Sequence, residues 1–185
     1  MKISLFLAAI LFTLYSCSGT KTISQEDKNN LVKVEELLNT KRFSVEAQWA
    51  YPLTTGSLTQ LANAGLLGNG NNVSRINLLG NANFLRIKND SIHMYLPYYG
   101  ERRVGGGYNS SNAVEAKNVI NDYKIEDHPK KNAKVISFNV YQKTEMFNVI
   151  ITTFSNKKTN IVVNSNQRSN IRYDGDLDIL KTEKL

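Results

Sequence analysis

Val135-Ile136-Ser137-Phe138-Asn139-Val140-Tyr141 places an apolar residue at every second position. Ile136, Phe138 and Val140 fall on one face, and Ser137, Asn139 and Tyr141 on the other. Successive strand side chains point to opposite faces, so a period of two predicts a half-buried β-strand. The stretch 145–155 follows it, and its apolar run 147–154 predicts a central strand. Asn156-Lys157-Lys158 and Asn166-Gln167-Arg168 read as turns that set off further strands at 159–164 and 170–173. Upstream, strands are predicted at 119–126, 91–96, 83–88 and 74–79, with Asn89-Asp90 as a hairpin turn. Farther back, Phe43, Val45, Ala47, Trp49 and Tyr51 alternate with Ser44, Glu46, Gln48 and Ala50 until Pro52 ends the run. No helices alternate with these strands, so a parallel sheet is excluded. The predicted class is mainly β, an antiparallel β-barrel or sandwich.

One amphipathic helix precedes the sheet. Ser24 resembles an N-cap, Glu26 and Asp27 occupy the first turn, and Leu31, Val34, Leu37 and Leu38 follow at helical spacing. The pattern predicts a helix over 25–41 whose stripe covers one end or face of the fold. A second, short helix is predicted from Ser57, as cap, to Gly65, as stop. Gly68-Asn69-Gly70-Asn71-Asn72 reads as an exposed loop.

The first residues set an expected location. A basic start at Lys2, an apolar run over 3–14 and Leu14-Tyr15-Ser16-Cys17 make a secretory signal peptide. The run is shorter than the about 20 residues a membrane-spanning helix needs. Its end resembles a bacterial lipobox, which implies cleavage before Cys17, acylation of that residue and attachment to a membrane. The expected organisation is a signal peptide over 1–16, lipidated Cys17 and tether over 17–24, one domain over 25–180 and a tail over 181–185. Removing the first 16 of 185 residues leaves 169, the size of a single domain. Cys17 is the only cysteine, so acylation leaves no thiol for a disulfide, a metal or nucleophilic catalysis. Ser18-Gly19-Thr20-Lys21 carries no acid, which favours a periplasm-facing position at the outer membrane over display outside. The net charge of +7 is scattered, in short pairs such as Lys130-Lys131 and Lys157-Lys158. An exported protein has no nucleic-acid partner to meet. The charge predicts a solvated surface with mild attraction to anionic lipid or polysaccharide.

Chemistry is sparse. The two histidines, His93 and His128, lie near no nucleophile elbow, and no residues have metal-ligand spacing. Asp174, Asp176 and Asp178 alternate, which predicts a strand with one acidic face. Gly105-Gly106-Gly107 lacks the Lys-Ser/Thr of a phosphate loop. No catalytic residue, metal ligand or cofactor is assigned. The candidate ligand or partner surface is aromatic and basic: Tyr95, Tyr98, Tyr99 and Tyr108 cluster around Pro97 with Arg102. Arg168 and Tyr173 join them if a late strand lies beside an early one. Tyrosine faces stack on sugars or cap lipid-like ligands, and arginine pairs with carboxylate or phosphate. The competing reading makes Tyr95 and Tyr99 core or rim residues. The expected function is a non-enzymatic binding or accessory module that takes a small apolar or glycan ligand or an envelope protein. The alternatives are a structural envelope protein, and a hydrolase of envelope glycan or lipid using Asp90 or Glu101.

Leu96-Pro97-Tyr98-Tyr99-Gly100, the glycines at 105–107 and the late Arg168, Ile171, Tyr173 and Gly175 together resemble one bacterial envelope family. It is common among Bacteroides-like bacteria and is catalogued as domain of unknown function 4251. Tyr99 stands where the family usually has Phe. The resemblance covers 41–177 and implies a signal sequence and an envelope location. It implies no activity and no catalytic residues.

Overall fold

The computed structural model describes residues 23–104 and 113–180. Helix α1 (Gln25–Asn39) begins where expected, with the Asp27 amide donating to Ser24 Oγ at 3.0 Å. Glu26 and Asp27 oppose the positive end of the helix dipole. The helix stops two residues short of the predicted end, where the Thr40 amide donates to the Glu36 and Leu37 carbonyls and Lys41, at φ 50°, turns the chain. Val34 and Leu38 form its buried stripe.

Nine strands follow: β1 (Arg42–Pro52), β2 (Ile76–Asn77), β3 (Phe84–Lys88), β4 (Ser91–Pro97), β5 (Ala113–Asp127), β6 (Ala133–Gln142), β7 (Glu145–Phe154), β8 (Lys158–Ser165) and β9 (Ile171–Ile179). A short helix α2 (Gly56–Asn63), capped by Thr55 and not Ser57, lies between β1 and β2. From β3 to β9 each strand pairs antiparallel with the next, β9 returns to β1, and β1 pairs with β3. Eight strands therefore close into an antiparallel barrel, which decides between the two predicted architectures. Only the two-residue β2 lies outside the ring, on the far part of β1. Closure leaves the ring no unpaired edge. It also accounts for 147–154, whose outward Ile150 and Phe154 are half-buried while Phe147, Val149 and Ile151 point inside.

The simple alternation read along β1 fails at one point. A β-bulge between Ala47 and Trp49 adds a residue, so Ala50 turns inward and Trp49 and Tyr51 move to the outer face. There Arg75 stacks on Trp49 and Arg172 on Tyr51, at 4.1 and 4.2 Å. The Ala47 amide, left over at the bulge, donates to Oδ1 of the buried Asn83 at 2.7 Å. A second irregularity, with Asp122 at φ 56°, bends β5.

The inward side chains of all eight strands form one apolar cluster, with Phe43, Phe138, Phe147, Met94 and Tyr173 among the largest. An eight-stranded barrel is just wide enough for side chains to fill, and here they do. Helix α1 stoppers one end. The Tyr123 phenol, stacked on Phe138 at 6.2 Å, donates to the Leu38 carbonyl at 3.2 Å. Burial pushes this phenol up to about 12. Lys134 ties the helix down further, bridging Glu35 at 2.8 Å and Asp127 at 2.6 Å.

Candidate functional site

The opposite end of the barrel gathers most of the aromatic and basic residues singled out above. Arg168, predicted in a turn and on the candidate surface, lies between β8 and β9 and is only 4% exposed. Its Nε donates to Glu145 Oε1 at 2.7 Å, Nη2 to Oε2 at 3.0 Å, and Nη1 to the Ala113 carbonyl at 2.6 Å. Every nitrogen of the guanidinium is thus engaged inside the protein. Its plane also meets the Tyr98 and Phe147 rings at 5.2 and 5.6 Å. Burial pushes the Glu145 carboxyl up, but hydrogen bonds from Arg168 and Ser165 and the charges of Arg168 and Arg102 outweigh it, and the group titrates below its ordinary range.

Around this pair the chain knits itself shut. The Tyr98 hydroxyl meets Ser169 Oγ at 2.8 Å and the Glu101 carbonyl at 2.8 Å. The Glu101 amide donates to Ser169 Oγ, and the Ser169 amide donates to the Glu101 carbonyl. Arg102 faces Arg168 in an isolated bridge, with Nη2 3.9 Å from Glu145 Oε2. The Tyr173 hydroxyl rises from the core to donate to the Pro97 carbonyl at 2.9 Å. A Cβ on Gly100 would lie 2.5 Å from the Tyr98 hydroxyl oxygen and 2.6 Å from Ser169 Oγ, so only glycine leaves room for this network. The early Leu-Pro-Tyr-Tyr-Gly stretch and the late Arg168–Gly175 stretch are two halves of one closure.

One family matches this chain over most of its length. The model described as Domain of unknown function (DUF4251) matches residues 25–177. The chain belongs to this family. A search of curated proteins gave no match. In this DUF4251 domain the late motif residues Arg168, Ile171, Tyr173 and Gly175 line, fill or close the barrel.

Not all the predicted surface comes together. Tyr98, Arg102, Arg168 and Tyr173 meet, Tyr99 is half-buried against the core, and Tyr95 stands on the outer wall beside Phe84. Tyr108, Gly105 to Gly107 and Cys17 lie outside the described residues. Glu145, the residue that organises the cluster, was missed. The usable signal was strand parity, since Glu145 shares its face with Phe147, Val149 and Ile151. Asp90 and Glu101 sit beyond opposite ends of β4, whose seven residues span roughly 20 Å. Paired carboxylates in glycoside cleavage lie within about 10 Å. These two cannot act as such a pair, and Asp90 is bound to Lys41 at 2.6 Å.

The outer wall holds a concavity of about 1340 Å³ that the sequence did not announce. Strand registers lay Asp178, Ser44, Arg86, His93 and Lys117 in one row across β9, β1, β3, β4 and β5. The row nearer the α1 end holds Arg42, Lys88, Ser91 and Val119. On the other side lie Glu46 and Asp176 on the β9–β1 flank and Phe84 on β3. The result is a trough whose β9–β1 flank carries Glu46, Asp176 and Asp178, with Arg42 toward the α1 end, and whose other flank is basic (Arg86, Lys88, Lys117). The serine of Ser44 leaves the floor between them low. His93 packs edge-on against Phe84, with ring centroids 4.7 Å apart, and Arg86 covers the same ring. The three alternating aspartates of β9 form the expected acidic face. Asp174 binds Asn160 and Asp176 binds Lys158 and Gln48.

Proposed function

We propose that the protein is a lipid-anchored, non-enzymatic binding module of the bacterial cell envelope, and that its recognition surface is the charged trough on the outer wall. The single observation that carries this reading is the placement of opposed acidic and basic flanks along an open trough of about 1340 Å³, while the barrel interior is occupied by its own side chains. Such a surface suits an extended polar partner that carries both charges, a segment of another envelope protein, better than a small apolar ligand. Opposed charge on the two sides of an interface sets register and speeds encounter. The aromatic and basic cluster around Arg168 then has a structural task, holding the far end of the barrel closed.

A photo-crosslinking residue in place of Ser44, at the trough floor, is expected to give a discrete protein adduct in cells. The same residue at Tyr141, exposed elsewhere on the wall, is expected to give none. The adduct should weaken at least tenfold when Lys88 and Lys117 are both changed to Glu, since two rim charges reversed turn attraction into repulsion. An adduct of equal yield in that variant removes the trough from the reading.

Attachment has its own test. Cys17→Ser is expected to make the protein removable from the membrane fraction by a high-salt wash, which the natural protein resists. Retention through that wash would overturn the anchor.

A further inference from the structure

The place where the chain leaves the barrel toward Cys17 is fixed. Ser155 Oγ donates to Asp27 Oδ1 at 2.9 Å and pins the first turn of α1 to the β7–β8 turn. Ile23, 44% exposed, shares a hollow of about 340 Å³ with Asn132, Phe154, Asn156 and Lys158. Residues 18–22 alone separate Ile23 from Cys17, and so short a chain reaches at most about 20 Å. In a protein held at Cys17, as the proposed function requires, the α1 end of the barrel is the end that meets the membrane.

That end is ringed by lysines. Lys130 and Lys131 project from the β5–β6 turn, where His128 Nδ1 accepts from both of their amides at 3.1 Å. Lys157 projects from the β7–β8 turn, at φ 64°. The two turns are neighbours, with Lys131 Nζ 5.8 Å from the centroid of Phe154. Two nearby acids are paired with lysines, Asp127 with Lys134 and Asp176 with Lys158. Asp27, which takes hydrogen bonds from Ser24 and Ser155, and Glu26 and Glu126 are exposed. Lys130, Lys131 and Lys157 have no carboxylate partner among the described residues.

We propose that this end of the barrel is a docking surface for an anionic lipid bilayer, with Lys130, Lys131 and Lys157 against the headgroup phosphates and Ile23 entering the interface. Charge complementarity and the short tether point to the same occupant. Each lysine held near an anionic surface strengthens partition about fivefold. The three together amount to about a hundredfold.

The mature chain, residues 17–185 carrying Cys17→Ser, isolates the surface from the anchor. It is expected to float with vesicles of phosphatidylcholine and phosphatidylglycerol and not with phosphatidylcholine alone. Partition should fall at least a hundredfold in a Lys130→Glu, Lys131→Glu, Lys157→Asn variant, which reverses two charges and removes a third, the last change chosen because asparagine tolerates positive φ. Equal partition into both vesicles, or no loss in the variant, overturns the docking surface. Flotation of the unaltered, acylated protein with phosphatidylcholine alone reports on the anchor separately. A failed anchor and a failed surface therefore give different results.

Discussion

Gly175→Ala should open the barrel at its closing seam. A Cβ built on Gly175 lies 2.2 Å from the Glu46 carbonyl oxygen and 2.9 Å from Ala47 Cα. Both are backbone atoms of β1, held by pairing on each side, so no side chain can swing away to relieve the contact. Gly175 sits opposite Ala47, where the β1 bulge brings the two backbones together, and it also pairs with Thr159 of β8. Either β9 parts from β1 over several residues or β8 follows it outward. Overpacking in a core typically costs about 1–3 kcal/mol, and with backbone on both sides the upper end or more is expected here. Urea denaturation should show the unfolding free energy falling by that amount, with the midpoint lowered at unchanged slope. Hydrogen exchange should quicken first at the amides of β1 and β9. An unchanged midpoint would falsify the claim that this seam is held by close backbone approach.

Arg168→Ala is the second large effect. It leaves the Glu145 carboxylate buried without its guanidinium, and breaking a buried pair in this way costs about 3–5 kcal/mol. Arg168→Lys should recover little, because an ammonium cannot bridge both carboxylate oxygens and the Ala113 carbonyl at once. The pH dependence separates this pair from a packing effect. In the natural protein the Glu145 carboxyl titrates below its ordinary value of 4.5. Its contribution to stability is therefore full above that value and is lost as pH falls through the lowered one. In Arg168→Ala, burial acts with the dominant opposing charge removed, and the carboxyl is driven upward. The variant should then gain stability, relative to the natural protein, as pH falls from neutral toward 4.5. Denaturation midpoints measured across that range decide the matter, and parallel pH profiles for the two proteins would remove Glu145–Arg168 from its assigned role.

The strands were legible because burial in a barrel follows parity. Ile136, Phe138 and Val140 lie inside as their spacing requires. Ser24 caps α1 because the local sequence carries its own signal. Parity misled wherever a residue was inserted without changing composition. The bulge after Ala47 swaps the faces of Trp49 and Ala50, and no residue type near it marks the spot. Strand ends were underestimated in β5 and β9, whose polar outer residues resemble loop when read without their partners. Arg168 does lie in the turn region between β8 and β9, but its burial was not legible. Its neighbours Asn166 and Gln167 look like turn residues, and only the fold brings Glu145 from 23 positions away to bury it. The trough was invisible to any linear reading, since its row is drawn from five strands that the chain visits far apart.

The N-terminal stopper also determines how the molecule bears a load. For a chain held at Cys17, tension enters through α1 and not through the sheet. The contacts of Asp27 with Ser155 and of Glu35 with Lys134 yield first, because they are few. Unwinding the 15 residues of α1 then pays out roughly 30 Å of slack, from about 1.5 Å to about 3.4 Å per residue. Only afterwards does force reach β1, along its own axis, where the nine residue pairs with β9 resist together in shear. In a chain so held, the helix is an extensible fuse that lengthens under strain before the barrel itself gives way.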